Sequence, residues 1–465
     1  MASQPLNSTS CRNDGSCKTP SRNSLPPSVL MRVVQYWTRF VHAVALSVTA
    51  ARGAEGLQQA PTPLPPPFLL GQSALRDGNP LAGYVEMLSL DSAYRSSPIF
   101  AKVYPEMRAN LEEFLGMSRA GISALSFPAF RIGDALQPTP ISPNFVPRPA
   151  LDVFAERAAR TRIVIWGEEH HLPQTRCLYE PLLRRLWDEG YRYFAAETFA
   201  DTVMSPGFAT PDYRSGLYLR DPVFAAAVRT AVSLGYKLVA YEETGRGPAG
   251  DNSYRDRRQA EHLKERVFDR DANARVLVIA GRGHASKVTA PDGWTPMASV
   301  LRQLTGIDPL TIYAPRMTER STRGEEDGMY QYATARGLIS QPTAFVDTTT
   351  GAILGQGQSL DAYVFWPRIT IEDGRPDWMR ACMDRRAVSV PAGLGSGSEL
   401  LLAQAFVDGE PMTAIAADQI VFRASESPPV LMVAPGAYAI RVINQAGALM
   451  HGRHVNVPAR GIVRD

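Results

Sequence analysis

Arg162-Ile163-Val164-Ile165-Trp166-Gly167-Glu168-Glu169-His170 and, far along the chain, Val276-Leu277-Val278-Ile279-Ala280-Gly281-Arg282-Gly283-His284 repeat one arrangement: a short β-branched apolar run, then G-x-x-H. The apolar run reads as a buried strand. The glycine lets the backbone turn, and the polar side chains after it fall at the carboxyl edge of a sheet, where open α/β folds build their ligand crevices. If the two strands are parallel neighbours, both imidazoles enter one crevice.

The surrounding sequence fits this reading. From about 150 to 315 strand patterns (163–166, 192–196, 237–241 and 276–280) alternate with helical ones. One helix carries Leu178, Leu182, Leu183 and Leu186, with Pro181 expected to kink or restart it; the others cover 222–234, closed by Gly235, and 254–268. The alternation predicts an α/β fold with a mostly parallel sheet and helices on both faces. Each strand ends in an acid or a histidine: Glu168 and His170, Glu197, Glu242 with Glu243, and His284. Four of the chain's seven histidines lie in this segment, so the composition itself points to a site.

His170, Glu197 and His284 are the candidate ligands of a divalent metal, zinc or manganese, since such ions take imidazole and carboxylate donors. Glu168, His171, Glu242, Arg255 and Asp256 are the candidate catalytic groups. Glu168 is the general base, and Arg255 stabilises an oxyanion or orients a substrate. Asp256 has two readings. It heads the stripe Asp256, Ala260, Leu263, Val267 that packs on the sheet, and Ser253-x-x-Asp256 also fits a capping box. His262, on a helix face with Arg255, Gln259 and Arg266, reads as surface.

At these residues the chain resembles a known superfamily. The segment from Ile163 to Phe199, with Gly167-Glu168-Glu169-His170-His171 and Ala196-Glu197-Thr198-Phe199, is similar to the first βαβ unit shared by the erythromycin esterase family and the ChaN-like haem-binding lipoproteins. Arg255-Asp256-x-x-x-Ala260-Glu261 is similar to the Arg-Asp helix of the esterases, and Val278-Ile-Ala-Gly-x-Gly-His284 to the last motif of both groups. The doubled G-x-x-H also resembles that of the TIKI and TraB proteins, the former metal-dependent proteases. The two main groups place their histidine one position apart, and this chain has one at each, so His170 and His171 both stand as the reactive imidazole. The resemblance implies a hydrolase of an ester, lactone or peptide bond, or a protein that binds haem without catalysis. In the haem case Trp166, Phe199 and Tyr241 would line the pocket.

The remaining sequence divides into modules. Residues 1–60 read as leader: a Ser, Asn and Pro-rich stretch with the composition of disorder before Met31, then a basic and apolar signal peptide. Residues 61–149 read as a proline-rich linker and a helical N-terminal region, 150–385 as the α/β domain, and 386–465 as a small all-β sandwich resembling carboxypeptidase-regulatory domains. His451 and His454 in the sandwich read as solvent-facing. Cys177 and Cys382, left after removal of the leader, form either one bridge or two free thiols. The leader implies a secreted or periplasmic protein. With 49 basic against 46 acidic residues there is no electrostatic footprint for nucleic acid, and no apolar stretch is long enough to span a bilayer. The expected partner is a small-molecule or peptide substrate.

Overall fold

In the computed structural model, residues 64–70, 78–117, 119–125 and 137–459 are described. The leader and the signal peptide lie outside them. The centre of the molecule is an eight-stranded sheet: β1 (Phe145–Pro149), β2 (Ile163–Glu168), β3 (Tyr193–Ala196), β4 (Lys237–Ala240), β5 (Val276–Gly281), β6 (Leu310–Met317), β7 (Thr343–Asp347) and β8 (Ala362–Phe365), in the order β1-β7-β8-β6-β2-β5-β3-β4. The run from β8 to β4 is parallel throughout, and β7 and β1 add an antiparallel edge. Pro147 and Pro149 are tolerated in β1 because an edge strand leaves half its ladder positions unused. The sequence alone puts this strand on the linker side of a boundary at 149.

The two G-x-x-H strands are neighbours. β2 pairs in parallel with β5, Gly167 opposite Ala280 and Glu168 opposite Gly281. Both are buried along their whole length, as apolar runs covered by helices on each face must be. One face packs helices Ala150–Ala158, Tyr179–Asp188 and Pro222–Leu234 around Trp166, Phe194 and Leu277. The other packs helices Tyr254–Leu263 and Met297–Thr305 around Ile165, Val278 and Ala280. Pro181 is the third residue of its helix, inside the first turn where no intrahelical N–H is needed, so it neither kinks nor restarts it. The helix at 254 passes at Lys264–Phe268 into a π-turn.

The glycines of the motif act by close approach. Gly281 has φ of −56°, open to any residue. A Cβ there would lie 3.2 Å from His170 Nε2 and 3.3 Å from the Glu197 carboxylate, and one at Gly167 would lie 3.1 Å from the Ala285 Cβ. Absence of side chains is what lets the turn after β5 and the imidazole after β2 share one space.

Beyond the main sheet, Asp418–Arg423, Leu400–Val407, Gly436–Asn444 and Leu449–Val457 form a four-stranded antiparallel sheet in that order, and Arg386–Val388 pairs with Leu431–Val433. Leu401, Ala403, Ile440 and Val442 face the small pair, whereas Leu402, Val421 and Ile443 pack under N-terminal helices through Leu81, Met87, Tyr104 and Met107. The N-terminal helical region and the C-terminal strands thus share a core. Arg375 joins Asp418 at 2.6 Å and Arg229 joins Glu410 at 2.6 Å, tying this unit to the α/β layers. Cys177 and Cys382 are disulfide-bonded. No helix among the described residues is long and apolar enough to cross a membrane.

Candidate functional site

His170 follows β2 by a short turn, and two aromatic and ionic contacts fix its ring. It stacks on Tyr218, with ring centroids 3.9 Å apart, and its Nδ1 lies 3.0 Å from Glu168 Oε1. Glu168 also accepts from Arg176 Nε at 2.9 Å, from Arg176 Nη2 at 2.8 Å and from the Tyr179 hydroxyl. Arg176 in turn reaches Asp221 at 2.7 Å. Burial would raise the Glu168 pKa, but Arg176 and His170 pull it down to about 2. The carboxylate is therefore ionised and Nδ1 of His170 is the donor; in the neutral imidazole Nε2 carries the lone pair. Burial works against charge on His170, and the Glu168 bond with the Glu197 charge more than compensates, so its pKa lies above the ordinary 6.5. Among the described residues Nε2 has no hydrogen bond; it lies over Gly281 toward Glu197.

Glu197, just past β3, accepts the Gly281 backbone N–H at 2.6 Å and Arg255 Nη2 at 2.6 Å. Arg255, in the first turn of the helix Tyr254–Leu263, also donates through Nε to Glu242 at 2.8 Å and through Nη1 to His284 Nε2 at 2.9 Å. Gln259 supports Glu242 from one turn farther on, at 3.2 Å. Desolvation opposes ionisation of Glu197, yet Arg255 and the two imidazoles hold its pKa far below the usual carboxylate range.

His284 is anchored through Nδ1 to Asp256 Oδ1 at 2.5 Å. Asp256 also accepts from Trp294 Nε1 at 2.9 Å and from the Met297 backbone N–H at 2.8 Å. It therefore caps the following helix, Met297–Thr305, and takes no part in a capping box with Ser253, whose hydroxyl accepts from Thr295 N. An acceptor at Nδ1 and a guanidinium donor at Nε2 fix His284 as the neutral Nδ1–H tautomer. Burial disfavours charge on it, but Asp256 and Glu197 raise its pKa above 6.5; protonation at Nε2 must break the Arg255 bond.

The structure thus brings together Glu168, His170, Glu197, Glu242, Arg255, Asp256 and His284. It does not leave His170, Glu197 and His284 facing a common vacant point. The Arg255 guanidinium stands between His284 Nε2 and Glu197, where an ion bound by both would have to sit, and His284 has no lone pair to spare. His171 is turned elsewhere. It is fully buried beside Glu169, whose Oε1 is 4.0 Å from its Nδ1. Burial first, and the charge of Arg282 with it, lowers its pKa to about 4. Together with Glu106 from the helix Tyr104–Phe114, Glu169 and His171 form a group that could hold a metal ion, their ligand atoms all within 4.8 Å of one another.

Several side chains of this site carried no readable signal. Arg176, Tyr179, Asp221 and Tyr218 determine the state of His170, yet they sit in turns and helix starts where such residues are common. Glu106 belongs to another module in sequence. His262, expected on the surface, is half-buried with Nδ1 at 3.1 Å from the Tyr241 carbonyl. His454 is exposed, as expected, and lies 3.5 Å from Asp408. Trp166, Phe199 and Tyr241 are core residues at 0, 3 and 0% exposure.

No protein-family model and no curated protein matches the chain. Among solved structures it is similar to that described as the type III effector HopBA1, at 13% identity and a TM-score of 0.25, over 40% of this chain and 96% of that one. A likeness of that degree bears on neither fold nor function.

Proposed function

We propose that the chain is a hydrolase of an ester, lactone or peptide bond, with His170 as the general base. One observation carries this reading: an imidazole pinned through Nδ1 by an ionised, buried carboxylate, with Nε2 turned toward the shared space over Gly281. In that arrangement Nε2 removes a proton from water as the oxygen attacks the carbonyl carbon, and returns it to the leaving group. Glu168, assigned the base on sequence grounds, becomes the group that orients His170. A carboxylate with a pKa near 2 is a poor proton acceptor at neutral pH.

Arg255 spends four N–H bonds on Glu242, Glu197 and His284. A guanidinium has five, and the fifth, on Nη1, supports a role in binding the developing oxyanion. Glu242, Gln259, Asp256 and His284 hold that guanidinium in place. No step runs through a metal. Support for the haem reading is weaker, because its expected aromatic lining lies in the core and the crevice is dense in carboxylates. The Cys177–Cys382 bridge favours an oxidising compartment, in line with a secreted or periplasmic protein.

The test is a panel of ester, lactone and peptide substrates with wild type and His170→Ala. Hydrolysis that the substitution removes, with the fold kept, is the expected result. Stoichiometric haem uptake by the wild type together with no turnover across the panel would overturn the assignment.

A further inference from the structure

Glu106, Glu169 and His171 are 6, 5 and 0% exposed and come from two separate modules: Glu106 from the helix Tyr104–Phe114, the other two from the turn after β2. We infer that these three side chains hold a zinc-like divalent cation, which fastens the N-terminal helical layer to the carboxyl edge of the main sheet. The Glu169 carboxylate is already divided between two tasks. Its Oε2 lies 3.0 Å from Arg282 Nη1, while Oε1 faces His171 Nδ1 at 4.0 Å. That second separation is too long for a hydrogen bond. It is within the ~4.4 Å that two ligands each ~2.0–2.2 Å from one metal can span, and a side-chain shift of about half an ångström brings the pair to the ~3.4 Å of a tetrahedral site. Arg282 then orients the carboxylate from outside the ligand sphere, as the partners of metal-bound carboxylates do.

The donor set and the charges around it choose among metals. Arg282 and the buried Arg320 stand near Glu169 and offset the two carboxylates, so the group does not attract cations by charge alone. Magnesium and calcium, which need many oxygen ligands, gain little from an imidazole and two carboxylates. Zinc and cobalt prefer that combination in a closed four-coordinate site, with water as the remaining ligand.

The location has a structural consequence. The helix bearing Glu106 also packs through Tyr104 and Met107 on Leu402, Val421 and Ile443 of the C-terminal sheet. An ion bridging Glu106 to Glu169 and His171 therefore joins the N-terminal layer, the C-terminal strands and the β2 turn that carries His170. The ion is a fastener beside the crevice and takes no part in proton transfer.

The experiment is zinc titration of the chelator-treated full chain by calorimetry, with metal content and thermal unfolding measured alongside. One zinc per chain is expected, with a higher melting temperature when it is bound. Glu106→Gln and His171→Ala should each weaken uptake at least about a hundredfold. His170→Ala and Glu197→Gln should leave it unchanged, and magnesium should not compete. Should Glu106→Gln not fold, Glu106→Asp, which keeps the donor, and the visible spectrum of the cobalt-loaded wild type supply the measurement; tetrahedral absorption that Glu106→Asp retains supports the site. No zinc uptake by the wild type, uptake that survives Glu106→Gln, or uptake lost in His170→Ala would each overturn the inference. Because metal content is read without turnover, these outcomes stand apart from any failure of the hydrolase reading.

Discussion

The two imidazoles of the repeated motif begin alike and end differently. His170 and His284 each follow a buried parallel strand, and each donates an Nδ1–H hydrogen bond to a buried carboxylate, Glu168 at 3.0 Å and Asp256 at 2.5 Å. At Nε2 they diverge. Arg255 donates to that atom of His284 at 2.9 Å, whereas the same atom of His170 faces Gly281 and Glu197. A repeated sequence motif has therefore produced one imidazole that can take up a proton at no cost in hydrogen bonds and one that must lose a charge-assisted bond to do so. The first suits proton transfer and the second suits holding an arginine.

The largest effect that separates them is on turnover. His170→Ala should reduce kcat by about a hundredfold to ten-thousandfold, the range for a positioned acid or base, with the melting temperature little changed. His284→Ala should act through Arg255, raising KM as well as lowering kcat, and arginine-side effects should be partly restored by His284→Gln, whose amide oxygen can accept from Nη1. Equal kcat losses with unaltered KM in both variants would erase the distinction drawn here.

Stability sharpens it next. Glu168→Gln leaves Arg176 buried with one neutralising partner, Asp221, and breaking a buried ion pair in this way costs about 3–5 kcal/mol. Chemical unfolding should show that loss in addition to slowed turnover, since His170 also loses its anchor. A variant as stable as wild type would mean that the Arg176 network does not hold the histidine.

Acid should act on the other half in a graded way. Glu197 has a pKa far below the ordinary glutamate value of 4.5 in the folded chain, because Arg255 and the imidazoles favour its charge over the burial that opposes it. The unfolded chain thus binds the proton first. The stability this group supplies is complete above about pH 4.5 and is lost as pH falls below it. Denaturant midpoints followed from pH 6 downward should decline for wild type and stay flatter for Glu197→Gln.

The disulfide gives a smaller effect again, confined to the His170 half. Cys177 adjoins Arg176 and lies two residues before Tyr179, both partners of Glu168. The double change Cys177→Ser with Cys382→Ser should cost about 2–4 kcal/mol and lower kcat modestly. The Asp256–His284 pair, held by the helix on the other face of the sheet, should be unaffected, as its histidine resonance would report.

Much of this was legible from local pattern. Runs such as 163–166 and 276–280 have the β-branched, uninterrupted apolar character of a doubly covered parallel strand, so the α/β class followed from the residues; that the two motifs are neighbours stood only as a condition, which the pairing of β2 with β5 meets. Given parallel strands, the convergence of Glu168, His170, Glu197, Glu242 and His284 was expected too, because a parallel sheet puts all strand ends on one edge. Proton roles were not legible. Whether Glu168 is a base or an orienting group depends on Arg176 and Tyr179 in a neighbouring turn and helix start, and no spacing announces which way those side chains point. The antiparallel edge of β1 and β7 was hidden by the prolines of 145–149, which in sequence signal a linker.

By itself, then, the sequence determined the periodicities: which runs are buried strands, which stripes are helical, and which polar residues end up at the carboxyl edge. Those properties are set by side-chain chemistry and the strand and helix repeats, and they survive without knowledge of any distant contact. Only the tertiary structure decided the charges and the tautomers. A carboxylate's ionisation and an imidazole's free nitrogen depend on what lies within a few ångströms after folding, as Arg255 does for His284 and Arg176 for Glu168. The same holds for Glu106, which reaches Glu169 and His171 because its helix packs across the C-terminal sheet. The ionisation of a buried group is set by the charges and donors brought close to it, and proximity across the chain is a property of the fold.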